Sequence, residues 1–164
     1  MTENDVHLID FDAYVKDLEA DSDPAHEADV LLLTCMDFRF FLEIAKRMKG
    51  IKYDHVILAG AALGTVVHGK KHWHRTFFDH LNLARELHKI KKVTVMEHRD
   101  CGAYGPKGFG LLPLNPERKR ERLVHEQQVA KLKLEIPRAL KFSALLLEVP
   151  PRRPKDALTF DKLM

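Results

Sequence analysis

The sequence predicts an α/β fold built on an open, mainly parallel four-stranded sheet, with strand order 2-1-3-4, flanking helices and an N-terminal helical arm. Two observations support this class. Short apolar segments alternate along the chain with longer amphipathic segments, which indicates strands joined by helical crossovers. The first short segment, residues 30–34, is continuously apolar, as in a strand buried on both faces of a parallel sheet.

The elements follow from hydrophobic periodicity and from turn-forming residues. Residues 66–73 hold a glycine, two lysines and two histidines and are predicted to form a loop, as is the Gly- and Pro-rich segment 97–116. Three prolines are expected to end the last strand and to leave residues 150–164 as a tail. The strands are predicted at residues 30–34, 55–58, 92–96 and 142–149, and the helices at residues 8–20, 37–49, 75–88 and 117–134.

The apolar residues of the last two helices are expected to face the core. In the helix at residues 75–88 they are Phe78, Leu81, Leu83 and Leu87. In the helix at residues 117–134 they are Leu123, Val124, Val129 and Leu132.

Bulk composition narrows the classes of function. The 164 residues carry a net charge of +3 and are 45% hydrophobic, which fits one domain, with residues 1–29 as the arm. Because 27 basic residues nearly balance 24 acidic ones, no nucleic-acid partner is expected. No apolar run approaches the roughly 20 residues that span a bilayer, so no membrane role is expected. The polar, acidic start does not resemble a signal peptide, which favours a cytoplasmic location.

Three metal-ligand residues follow two of the predicted strands. Cys35 comes directly after the first strand, and His98 and Cys101 come just after the third. In a flavodoxin-like order these strands are neighbours, so their carboxyl ends meet at the switch point where ligands bind. Two thiolates and one imidazole suit Zn²⁺, and three protein ligands are typical of a catalytic rather than a closed structural site. Two buried cysteines with an ordinary histidine, or a redox pair of the cysteines, remain the alternatives.

Asp37 and Arg39 lie within four residues of Cys35. An aspartate beside a zinc site can bind the metal or accept a hydrogen bond from the nucleophile, and an arginine can hold the carboxylate through a bidentate contact. The simpler alternative is that Asp37 caps the following helix. We predict catalytic roles for Asp37 and Arg39.

The pattern of Cys35, Asp37 and Arg39 after the first strand, with His98, Cys101 and Gly102 after the third, resembles the β-class carbonic anhydrases, over residues 30–105. The resemblance implies zinc-dependent, reversible hydration of carbon dioxide to bicarbonate by a zinc-bound hydroxide that Asp37 orients while Arg39 keeps Asp37 off the metal. It also implies a homodimer or a multiple of dimers, with the first helix packed onto the partner.

Other functions stay open because some pocket positions differ from the family pattern. Leu58, Ala59 and Gly60 stand where the family usually has an Arg-Asn pair after the second strand, and Ile51 stands near the position of a pocket glutamine. Hydrolysis of carbonyl sulfide or carbon disulfide, or a non-catalytic zinc-binding role, are therefore the alternatives. The histidines at 68, 72, 74 and 80 could carry protons, but a solvated basic loop is the simpler interpretation.

Overall fold

The computed structural model describes residues 26–148 and 158–164. The predicted arm helix, at residues 8–20, lies outside the described residues. The five strands of the described chain are β1 (Val30–Thr34), β2 (Tyr53–Ile57), β3 (Lys92–His98), β4 (Lys141–Glu148) and β5 (Thr159–Lys162). The α-helices are α1 (Phe41–Met48), α2 (Ala62–Val66), α3 (Lys71–Leu87) and α4 (Arg118–Glu135), with 3₁₀ turns at Phe38–Phe40 and His68–Lys70.

The strands form one sheet in the order β2-β1-β3-β4-β5. The first four are mutually parallel, which confirms the predicted class and the order 2-1-3-4. The predicted total of four strands was wrong, because β5 adds to β4 in the antiparallel direction with Phe160 opposite Leu147. An antiparallel neighbour needs only a short connection, whereas a parallel one would need a crossover of a dozen or more residues.

Two apolar layers enclose β1, which explains its unbroken hydrophobic sequence. Since successive side chains of a strand point to opposite faces, Leu31 and Leu33 enter the core shared with α3 and α4. Val30 and Leu32 enter the smaller core under α1. The sheet therefore fixes β1 from both sides and fixes the position of the residue that follows it.

Helix α3 is longer than the sequence indicated and packs through a different face. It begins at Lys71, so the prediction of a loop over residues 66–73 was wrong. Its buried residues are Phe77, Leu81 and Ala84, at helical spacing. Leu83 and Leu87 are 52% and 62% exposed, which contradicts their predicted inward orientation. Among the described residues, no helix is long and apolar enough to cross a membrane.

Helix α4 buries polar side chains in its first half. Val129 and Leu132 are buried as predicted, but Leu123 is 53% exposed. The face that turns inward before Val129 instead carries Glu121, His125 and Gln128. Buried polar groups are costly unless they are hydrogen-bonded, so this part of α4 must meet polar partners below it.

Candidate metal centre

Strand pairing brings the three predicted ligands to one edge of the sheet. Thr34, the last residue of β1, pairs with Met96 of β3, so Cys35 lies level with the end of β3. His98 is the last residue of β3 itself rather than a residue of the following loop, because the strand extends two residues beyond its predicted end. Cys101 follows three residues later, after Asp100, which adopts a positive φ of 54°.

The ligand atoms of Cys35, His98 and Cys101 all lie within 4.8 Å of one another, and all three residues are buried. The two sulfur atoms are 3.8 Å apart. Two thiolates, each about 2.3 Å from a tetrahedral zinc ion, would be about 3.8 Å apart. The sulfur separation far exceeds a disulfide bond, and both cysteines are free. The donor set and the separation of the two sulfur atoms therefore fit a zinc ion.

A hydrogen bond fixes which nitrogen of His98 can bind a metal. Nδ1 lies 2.7 Å from the carbonyl oxygen of Arg99. A carbonyl oxygen only accepts, so Nδ1 carries the proton and Nε2 keeps its lone pair. Nε2 is buried and has no hydrogen-bond partner among the described residues. A buried, unsatisfied imidazole nitrogen directed away from an oriented N–H is the arrangement of a metal-ligating histidine.

Gly60, in the loop after β2, supplies a backbone donor to the first thiol. Its N–H donates to Cys35 Sγ at 3.3 Å. Gly60 has a φ of +77°, and a Cβ there would lie 3.0 Å from the Cβ of Ala103. Glycine therefore meets both the backbone conformation and the close approach at this position.

The two thiols shift each other's pKa in opposite directions. A hydrogen bond from Cys101 lowers the pKa of Cys35 to about 4, against the opposing effect of burial, and His98 and the Gly60 amide lower it further. The same hydrogen bond and burial raise the pKa of Cys101. Burial works against protonation of His98, but its contact with Cys35 raises the pKa of the imidazole overall. One thiolate is thus already stabilised, as a metal ligand must be.

Asp37 and Arg39 form a bidentate ion pair beside the ligands. Arg39 Nη2 donates to Asp37 Oδ2 at 2.6 Å, and Arg39 Nε donates to Oδ1 at 2.9 Å. Asp37 also accepts from the Arg39 amide and caps the 3₁₀ turn, so the capping interpretation is correct. Asp37 Oδ2 lies 3.9 Å from His98 Nε2. The carboxylate is therefore placed at the candidate centre and is held by the arginine.

The hydrogen bonds from Arg39 lower the pKa of Asp37 below its ordinary value of 3.8, so this carboxyl is ionised at neutral pH. Because the folded-state pKa is depressed, the stability contributed by the ion pair is fully present above the unfolded-state pKa. It is lost as the pH falls through the lower folded-state pKa. The Asp37 carboxylate therefore takes up a proton only at acidic pH, below its ordinary pKa.

Little empty space adjoins Cys35 and His98, whereas Cys101 lines a separate cleft of about 200 Å³. A cavity of about 10 Å³ is lined by Cys35, Asp37 and His98, together with six further residues from Phe40 to Phe160. That is about the volume one water molecule requires. A larger cleft, of about 550 Å³, lies between α2, α3 and the end of α4 and contains none of the candidate ligands. The donor chemistry, rather than the size of a cavity, identifies the site.

The buried charged residues around the ligands were not predicted from the sequence. Glu97 is 1% exposed, and its carboxylate accepts from the Ala62 amide, from Tyr104 Oη and from His125. Arg99 is 5% exposed and forms ion pairs with Glu121 and Glu148. The available signal was a pair of charged residues flanking His98 at the end of a strand whose other residues are mostly apolar.

The histidines of residues 68–80 belong largely to α3. His74 Nδ1 bonds the carbonyl oxygen of Thr65, and His80 Nδ1 bonds that of Thr76. The basic run at the start of α4 is ion-paired in part, since Arg118 contacts Glu148 and Arg122 contacts Glu126. Neither these histidines nor the basic run belongs to the candidate metal centre of Cys35, His98 and Cys101.

No protein-family model matches the chain. An uncharacterized protein of Rickettsia bellii is 40% identical over 83 residues, covering 48% of this chain and 51% of the relative. An uncharacterized protein of Rickettsia conorii is 39% identical over 83 residues, covering 48% of this chain and 45% of the relative. The chain thus spans about half the length of the curated relatives it matches.

Solved structures identify the fold. A carbonic anhydrase from Glaciozyma antarctica has a TM-score of 0.58 at 18% identity and covers 100% of both chains. A carbonic anhydrase from Streptococcus mutans has a TM-score of 0.55 at 18% identity, with 94% of this chain and 97% of that chain covered. One of two tetrameric β-carbonic anhydrases from Sordaria macrospora has a TM-score of 0.53 at 13% identity, with 93% and 91% covered. The chain has the fold of these carbonic anhydrases and a Cys-His-Cys group that could hold a metal ion.

Proposed function

We propose that the chain is a zinc enzyme that catalyses the reversible hydration of carbon dioxide to bicarbonate. The observation that carries this proposal is the joint placement of the Cys35, His98 and Cys101 ligand atoms with the Asp37–Arg39 ion pair. The fold shared with carbonic anhydrases supports it. Cys35, His98 and Cys101 would hold the zinc ion. When bound, zinc supplies a Lewis acid and a water whose ionisation is brought toward about pH 7.

Asp37 would orient the nucleophile. As an ionised carboxylate it only accepts hydrogen bonds, so Oδ2, next to His98, can hold a proton-bearing oxygen in one orientation. Arg39 engages both carboxylate oxygens, which limits the freedom of Asp37 to turn and bind the metal itself. We therefore propose that Arg39 keeps Asp37 in position and ionised.

The surroundings suit a small, uncharged substrate. Apolar side chains, among them Ile44, Leu147 and Phe160, line the cavity beside Cys35 and His98. Phe40 packs against His98 with the two rings tilted by 39° and their centroids 4.6 Å apart, and it covers part of the imidazole. These apolar surroundings favour an uncharged molecule such as carbon dioxide.

One experiment tests this function. Protein reconstituted with zinc should contain about one zinc ion per chain and accelerate carbon dioxide hydration in stopped-flow assays with a pH indicator. The same sample should be assayed at pH 7 and at alkaline pH, with the apoprotein as the control. Zinc-loaded protein with no hydration above the apoprotein at either pH contradicts the proposal.

We also propose that the protein acts as a homodimer or a multiple of dimers in the cytoplasm. Met36, Phe38 and Leu42, close in sequence to Cys35, are 63%, 80% and 66% exposed. Exposed apolar groups of this size near a site favour burial against another surface, and a second copy is the proposed occupant. Free thiols that serve as ligands fit a reducing compartment.

Replacement of Phe38 and Leu42 by serine is expected to weaken this association at least about 100-fold, because each side chain contributes roughly 1.5–3 kcal/mol on burial. Analytical ultracentrifugation over a range of concentrations measures the change. Leu134→Ser is the matched control, since Leu134 is 86% exposed at the far end of α4. A wild-type chain that remains monomeric at tens of micromolar, or a control that dissociates equally, contradicts the proposed interface.

A further inference from the structure

The two residues between His98 and Cys101 are held by more contacts than a surface turn requires. The Arg99 amide donates to the carbonyl oxygen of Leu147 at 3.1 Å. The Arg99 carbonyl oxygen accepts from His98 Nδ1. The Asp100 amide donates to Glu121 Oε1 at 2.7 Å, while Asp100 occupies the left-handed region. The backbone between the two candidate ligands is thus fixed from both sides.

The Arg99 side chain reinforces the same turn. Its Nε and Nη2 donate to Glu148 at the end of β4, with distances of 3.0 Å to Oε2 and 2.7 Å to Oε1. Its Nη1 donates to Glu121 Oε2 at 3.1 Å and to the carbonyl oxygen of Arg118 at 2.7 Å. The guanidinium therefore joins the end of β4 to the start of α4 directly behind the turn.

Glu121 contacts both residues of the turn. One carboxylate oxygen accepts from the Asp100 amide and the other from the Arg99 guanidinium. With Glu121 3% and Arg99 5% exposed, these charges are shielded from water. Removing one partner of such a pair leaves an uncompensated buried charge, which the structure relieves by moving. The network consequently resists displacement of the turn.

We propose that Arg99 is a positioning residue which, with Glu121 and Glu148, holds His98 and Cys101 in the metal-binding arrangement before metal arrives. This inference rests on the proposed zinc site but adds a set of residues that bind neither metal nor substrate. A network that only stabilises the fold would contribute equally to the apoprotein and the zinc-bound protein, and would leave zinc affinity unchanged. A preorganising network changes the affinity itself, because without it the turn must be ordered during binding.

The test is the zinc dissociation constant, Kd, of Arg99→Lys, measured by competition with a chelator of known affinity. Lysine keeps the positive charge but cannot form the planar fork with Glu148 and Glu121. Loss of partners that orient metal ligands costs about 10- to 100-fold in affinity, so we expect the Kd to rise by that factor. The spectrum of the cobalt-substituted variant should also change, because its bands report the coordination geometry.

Arg122→Lys is the matched control, because Arg122 is an arginine of α4 that pairs with Glu126 and Asp161 and not with the turn. Its Kd should stay within about threefold of wild type. Urea unfolding of each apoprotein separates a loss of fold stability from a loss of affinity. An unchanged Kd for Arg99→Lys, or an equal rise for Arg122→Lys, overturns the proposal.

If Arg99→Lys does not fold, Glu148→Gln decides the question, since Glu148 is more peripheral and the substitution preserves its size. A Kd raised at least about threefold supports positioning, and an unchanged Kd overturns it. The outcomes also separate this inference from the proposed function. Wild-type protein that binds zinc but does not hydrate carbon dioxide contradicts only the function, whereas wild-type protein that binds no zinc contradicts both.

Discussion

Replacing His98 with glutamine should abolish stoichiometric zinc binding. The substitution removes the imidazole whose Nε2 is buried and unpartnered among the described residues, and it leaves Cys35 and Cys101 as the remaining members of the three-residue ligand cluster. Loss of a partner outside the coordination shell already costs about 10- to 100-fold in metal affinity, so loss of a ligand should exceed about 100-fold. Zinc content after gel filtration and chelator competition measure the effect.

His88→Gln is the matched control for this prediction. His88 also donates through Nδ1, to the carboxylate of Asp54 at 2.8 Å, but it lies at the amino end of the sheet beside Ala28. The control should retain about one zinc ion per chain. Equal zinc content in both variants would show that His98 is not a ligand.

Replacing Asp37 with asparagine should separate zinc binding from catalysis. Asparagine keeps the size of the side chain but loses the charge and one acceptor oxygen, and with them the bidentate contact to Arg39. We expect about one zinc ion per chain to remain, while kcat/KM for hydration falls by about 100-fold or more, the effect of losing a positioned proton acceptor. Metal analysis and stopped-flow kinetics on the same samples measure the two quantities.

Glu43→Gln controls for the loss of a nearby negative charge, because Glu43 of α1 forms an exposed ion pair with Lys46 at 2.8 Å. Its kcat/KM should stay within about threefold of wild type. If Asp37→Asn hydrates carbon dioxide as fast as this control, Asp37 does not orient the nucleophile. If it loses its zinc, Asp37 acts as a ligand instead.

The convergence of Cys35 with His98 and Cys101 could be predicted from sequence, because a simple topological rule governs it. Residues that follow neighbouring parallel strands meet at one edge of the sheet, whatever their separation along the chain. The α/β class follows from the alternation of short apolar and longer amphipathic segments, and the order of the first four strands follows from the flavodoxin-like arrangement; both are confirmed. The roles of Asp37 and Arg39 stay predictions, although the structure brings the pair to the ligands.

The features that were not predicted have no recognisable pattern in the residues that form them. β5 is a four-residue edge strand, and of its side chains only Phe160 is apolar, so its position depends on pairing with β4. The buried face of α4 cannot be read from apolar spacing, because Glu121 and His125 replace hydrophobic residues there. Arg99 and Glu148 are 49 positions apart, and no pattern within a helix or strand links them.

The most direct test of the account is X-ray absorption at the zinc edge on reconstituted wild-type protein. Coordination by Cys35, Cys101 and His98 predicts two sulfur neighbours at about 2.3 Å and one or two nitrogen or oxygen neighbours at about 2.0–2.1 Å, with about one zinc ion per chain. A first shell without sulfur, or protein that retains no zinc, would contradict the central claim that these three residues form a zinc site.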